Sequence, residues 1–130
     1  MKTKLLSLSL LFSAALITLP SAHAENITMV TEQLVEIVLH MENKPNDDDK
    51  IALEDISMDS ASTTYEKMLA DIILKVDTKL LPEEKKSTMK IWISPNASET
   101  ERSIAKALLK FDSTIDNKNR EILGQFVTTE

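Results

Sequence analysis

Cysteine is absent from this 130-residue chain, and glycine occurs once, at Gly124. Without cysteine there is no disulfide, no thiolate nucleophile and no thiolate metal ligand, so the fold must be held by its core alone. Phosphate-cradling loops, dinucleotide-binding turns and tight hairpins use glycine to reach positive φ. Its near-exclusion argues against nucleotide-binding folds and β-sandwiches together. Aromatics are equally sparse: beyond residue 24 only Tyr65, Trp92, Phe111 and Phe126 remain, and five methionines and the aliphatics must fill the interior. Histidine is reduced to His40 over the same span. A Ser-His-Asp arrangement would have to use it, and no Gly-x-Ser-x-Gly elbow exists to present a serine.

The first 24 residues read as a cleaved export signal. Lys2 and Lys4 precede an apolar run, Pro20 breaks it, and Ala22-His23-Ala24 supplies the small residues of a cleavage site. The run is too short for a bilayer span of roughly 20 residues, so no membrane insertion is expected after cleavage. The expected destination is the bacterial periplasm or the exterior. The remaining stretch, 25–130, suits one small domain. It carries 13 basic against 21 acidic residues. That balance repels phosphate and anionic lipid, which disfavours nucleic acid and suits a basic protein partner.

Apolar spacing assigns an all-α bundle of four to five helices. The cleanest stripe runs from Thr63 to Leu81, through Tyr65, Met68, Leu69, Ile72, Ile73, Val76 and Leu80. Thr63 and Glu66 have the spacing of a capping box at its start. Pro82 ends that helix and begins the next, where 87–94 alternates as a strand would but is read as helix for want of a partner strand. A first helix covers 29–42, with Val35 and Leu39 widening its stripe enough to predict a homodimer through it. After the turn at Asn43–Lys50, a short helix over 48–56 is expected to bury Ile51, Leu53 or Ile56. Ser98 with Glu101, or Asn96 with Glu99, caps a last region, 98–127, which reads as one helix or as two with a break near Asp116. No internal repeat is read.

Chemistry-bearing motifs are few. Glu36 and His40 share a helical face but make only two metal ligands. Asp47-x-Asp49 resembles the opening of a calcium loop, yet Ala52 stands at its glycine position and Met58 at its closing glutamate; Asp112–Leu123 fails in the same way, with Asn117 and Leu123. No metal and no cofactor is therefore expected. Leu80-Leu81-Pro82-Glu83-Glu84-Lys85-Lys86 resembles the Leu-Thr-Pro-x-Gln segment of the Spy/CpxP-like periplasmic helical proteins, with Leu81 at the threonine and Glu84 at the glutamine. That resemblance implies a chaperone or stress sensor, spans seven residues in a single copy, and assigns no family membership. The expected function is a non-enzymatic exported protein that binds another protein, of chaperone or stress-adaptor type. The alternatives are an acidic inhibitor or immunity protein that neutralises a basic toxin or enzyme, and a carboxylate-dependent cell-wall hydrolase. Asp47, Asp48, Asp49 and Trp92 are the residues expected to meet the partner.

Overall fold

The computed structural model describes residues 28–127; the export signal expected at 1–24 lies outside them. The described residues form six α-helices and no strand: α1 (Met29–His40), α2 (Asp47–Met58), α3 (Thr64–Leu74), α4 (Pro82–Trp92), α5 (Glu99–Leu109) and α6 (Asn117–Gly124). The all-α expectation holds, and the helix count of four to five is corrected to six. The segment 87–94 is helical as far as Trp92, and 98–127 holds two helices rather than one.

The expectation of no internal repeat is also corrected. Odd helices begin at Met29, Thr64 and Glu99 and even ones at Asp47, Pro82 and Asn117, so the described residues form three helical hairpins with a period of 35 residues. Equivalent positions carry equivalent physics. Thr28, Thr63 and Ser98 are the N-caps of the odd helices, each side chain accepting from a backbone N–H three residues on. Leu34, Leu69 and Ile104 are fully buried, as are Val35, Ala70 and Ala105, and Val38, Ile73 and Leu108. Met41, Val76 and Phe111 follow the helix ends and are buried too.

Each hairpin turns through one residue in the left-handed region: Asn43, Thr78 and Ser113, at φ 63°, 71° and 66°. These residues close a cycle of backbone hydrogen bonds. Asn43 donates its N–H to the Ser113 carbonyl (2.7 Å), Ser113 to Thr78 (2.8 Å) and Thr78 back to Asn43 (2.6 Å). The cycle ties the three hairpins together around a pseudo-threefold axis and satisfies polar backbone that the turn would otherwise strand. It also corrects the long stripe over 63–81: α3 stops at Leu74 because Lys75 turns its N–H back to Ile72 and Ile73 and Thr78 enters the left-handed region. Val76 and Leu80 are buried without being helical.

Thr78 is the costly member of the trio, since a β-branched residue at positive φ is strained where asparagine is tolerated. Thr78→Asn, which copies the first hairpin, is expected to stabilise the protein by about 0.5–1 kcal/mol. A thermal melt showing a lower midpoint would contradict this.

The odd helices α1, α3 and α5 pack on one another around the axis, and each even helix lies outside them, α2 against α3, α4 against α5 and α6 against α1 and α5. Local signals explain the starts. Thr63 with Glu66 and Ser98 with Glu101 form reciprocal capping boxes. Leu81 has no side chain able to cap, and α4 begins instead with Pro82 at its first position and the favourable charges of Glu83 and Glu84. Val35 is fully buried, and Leu39 packs against the core. The wide stripe of α1 faces α3 and α5 within the chain.

Candidate functional site

In a threefold repeat, positions dictated by the hairpin can be told from positions that are not. Side chains that repeat at equivalent positions are demanded by the hairpin, and exposed ones that do not repeat are left for function. The outer helices share their buried positions: Leu53, Thr88 and Leu123 have no exposed surface, and Ile56 and Ile91 are buried beside the partly buried Phe126. Their outward faces diverge. The segment Asp47–Asp59 presents six carboxylates to one lysine, whereas the equivalent Pro82–Ser94 holds three lysines and two glutamates, with no acid after Glu84.

The acidic helix borders a groove of about 300 Å³ against α1, lined by Val30, Gln33, Asp48, Ile51, Ala52, Asp55, Ile56 and Asp59. Its apolar floor is set by Val30, Ala52 and Ile56, and its polar side by three exposed aspartates. Ile51, expected among the buried residues of this helix, is 60% exposed and stands over the groove instead. The reason is register: Leu53 and Ile56 take the core face, which turns Ile51 outward.

The residues expected to meet a partner do not converge. Asp47, Asp48 and Asp49 occupy the first turn of α2, where negative charge also complements the helix dipole. Only Asp48 lines the groove. Asp49 is turned toward α1, its Oδ2 lying 2.8 Å from His40 Nε2, while its N–H is taken by the Asn46 cap. The contact engages the Nε2 atom of the His40 ring, which is half exposed. Trp92, 39% exposed, is the last residue of α4 and does not line the groove. Asp55 and Asp59 were missed by sequence reasoning. Their signal was present, since positions 48, 52, 55 and 59 recur on one helical face.

A second cavity, about 360 Å³, lies at the N-terminal ends of the odd helices and is lined by Thr28, Thr31, Thr63, Tyr65, Glu66, Asn96, Ser98 and Glu101. Glu66 and Glu101 are the buried carboxylates among the described residues. Both are engaged in joining hairpins. Glu66 Oε1 accepts from Thr63 N–H (2.8 Å) and Oε2 from the hydroxyls of Thr28 (2.6 Å) and Thr31, reaching across to α1. Thr63 in turn donates its hydroxyl to Glu101 Oε2 (2.9 Å), linking the second hairpin to the third. Burial alone would raise the Glu66 pKa, but the bonds from Thr28, Thr31 and Thr63 outweigh it and hold the carboxyl below the ordinary range. A group held ionised in this way lacks the raised pKa needed to protonate a glycosidic oxygen.

Among the described residues, no group of three or more His, Cys, Asp or Glu side chains is placed to hold a metal ion, and no helix is long and apolar enough to cross a membrane. Compared with protein-family models, with curated proteins and with solved structures, the chain gives no match.

Proposed function

We propose that the protein is an exported, non-enzymatic helical module that binds another protein, and that its partner is basic. One observation carries this reading. The groove between α1 and α2 sets three exposed aspartates and Ile51 around an apolar floor, on the one outer helix whose exposed face is acidic. Such a surface suits a segment that offers lysine or arginine beside an apolar anchor, with charge accelerating encounter and burial holding the complex. An inhibitor or immunity role is therefore favoured over the chaperone or stress-adaptor role. The latter keeps one supporting feature, the exposed methionines Met29, Met58 and Met89 (86%, 76% and 43%), since flexible thioethers suit adaptable binding.

Affinity capture from a periplasmic extract separates the two. Wild-type protein is expected to retain basic proteins at low ionic strength and to lose most of them at high ionic strength. Asp48→Asn/Asp55→Asn/Asp59→Asn is expected to lose them at both. The same proteins held by the triple variant, or held equally well in high salt, would overturn the acidic-groove reading and favour the methionine surface.

A further inference from the structure

We infer that the outer face of α4 is a docking ridge for a second copy of this chain, seated in that copy's groove between α1 and α2. The inference rests on the reading of that groove as a docking surface and adds what the groove takes when no foreign partner is present.

The ridge is defined by the same comparison of hairpins. Where α2 carries Glu54, Ser57 and Met58, α4 carries Met89, Trp92 and Ile93, 43%, 39% and 69% exposed. Met89 and Trp92 lie one turn apart on α4, and Ile93, its C-cap residue, is four positions from Met89, so Met89 falls between the two on the outer face. Exposed lysines Lys85, Lys86 and Lys90 flank them. Water is a poor environment for the part of an indole left exposed next to a methionine and an isoleucine.

The groove is the chemical complement of this ridge. It offers an apolar floor where the ridge offers apolar side chains, and Asp48, Asp55 and Asp59 where the ridge offers ammonium groups. The lengths match as well, since α2 and α4 have 12 and 11 residues, about 16–18 Å each. Ridge and groove belong to successive hairpins, a third of a turn apart around the pseudo-threefold axis, so a molecule cannot fill its own groove. The contact is heterologous, head to tail, and generates a ring or an open chain rather than an isologous dimer. It is distinct from a dimer through the buried face of α1. It also competes with a basic partner, which must displace α4 of the neighbouring copy.

The test uses two variants that each leave one face intact, followed by sedimentation velocity and by Trp92 emission, which reports the ridge because the chain has no other tryptophan. Wild-type protein is expected to associate as concentration rises at low ionic strength, with a blue shift of emission. Lys86→Glu/Lys90→Glu and Asp48→Asn/Asp55→Asn/Asp59→Asn are each expected to associate at least about tenfold more weakly. Mixed together they should form a one-to-one dimer that grows no further, because only one ridge and one groove survive. All substitutions are at exposed positions, and circular dichroism verifies the helical content of each variant. A wild type that stays monomeric at the highest attainable concentration overturns the inference. So does a mixture that stays monomeric, or variants that associate as well as wild type. A blue shift with anionic vesicles while the protein remains monomeric overturns it in favour of a lipid surface.

Failure here is separable from failure of the groove reading. If the mixture stays monomeric while wild type still captures basic proteins that the aspartate-to-asparagine variant loses, the ridge is wrong and the groove stands. If the mixture dimerises while no basic protein is captured, self-association stands alone.

Discussion

Leu69→Ala is expected to destabilise the protein by about 2–5 kcal/mol, against a total for a domain of this size of about 5–15 kcal/mol. Leu69 has no exposed surface and sits on α3, which packs against α1, α2, α4 and α5. Truncation there removes buried methyl groups and leaves a cavity that four neighbouring helices cannot all close. Leu34 and Ile104 hold the same position in the other hairpins, and their alanine variants should cost amounts in the same range. Met89→Ala, on the exposed ridge, should change stability by less than about 0.5 kcal/mol. Urea unfolding at neutral pH measures all four, and a Leu69→Ala cost below about 1 kcal/mol would show that the core does not have its described packing. The transition should be a single one in every variant. In an open solenoid each repeat touches only its neighbours and cooperativity can break down. Here α1, α3 and α5 all touch one another, so no hairpin retains its core when another leaves.

That closure also explains what could be read from the chain and what could not. The starts of α3, α4 and α5 were legible because capping depends on a few residues at fixed spacing, such as Thr63 with Glu66 and Pro82 followed by two glutamates. The end of α3 was not. Apolar spacing reports burial, and Val76 and Leu80 are buried in the turn as thoroughly as their neighbours are in the helix. Nothing in Thr78 announces positive φ, where glycine or asparagine would have done so. The repeat was hidden for a related reason. Core positions preserve size and apolarity rather than identity, so Val35, Ala70 and Ala105, or Met41, Val76 and Phe111, are equivalent in place but not in name. The clearest common mark is an acid, a left-handed residue and a polar residue at the turn: Glu42-Asn43-Lys44, Asp77-Thr78-Lys79 and Asp112-Ser113-Thr114.

The candidate site was half legible. Three successive aspartates draw attention in any sequence, yet Asp49 is spent on His40 and Asp47 lies off the groove. Asp55 and Asp59 matter because α1 lies alongside them, a fact of packing rather than of pattern. Trp92 is notable in the sequence as part of the segment that follows Pro82, and its setting among Met89, Ile93 and three lysines follows only when α4 is known to be an outer helix. The partner-facing surfaces are thus the parts of the chain that the threefold plan does not dictate. Such surfaces are the hardest to find from periodicity, since periodicity describes the plan.

Glu66 carries the other large expected effect, and there the plan itself is at stake. Its carboxylate closes the Thr63 capping box and also holds α1 through Thr28 and Thr31, so a single buried group joins two hairpins. Glu66→Gln preserves the shape but replaces an acceptor-only group with one whose amide must face a donor. The expected cost is about 1.5–3 kcal/mol at neutral pH, the range for hydrogen bonds to a charged group. Glu66→Ala should cost more, because the Thr28 and Thr31 hydroxyls lose their acceptor and the cap is opened. The pH dependence identifies the mechanism. Because the folded-state pKa lies below the ordinary value of 4.5, the ionised carboxylate contributes its full stabilisation above about pH 4.5. That contribution is lost as pH falls through the depressed folded value. The gap in unfolding free energy between wild type and Glu66→Gln should therefore be widest near neutrality and should narrow as the medium is acidified. Taking the difference cancels the titration of the other carboxylates, which both proteins share. A gap that stays constant from neutral pH to pH 3 would mean that the charge of Glu66 contributes nothing and that its role is purely steric.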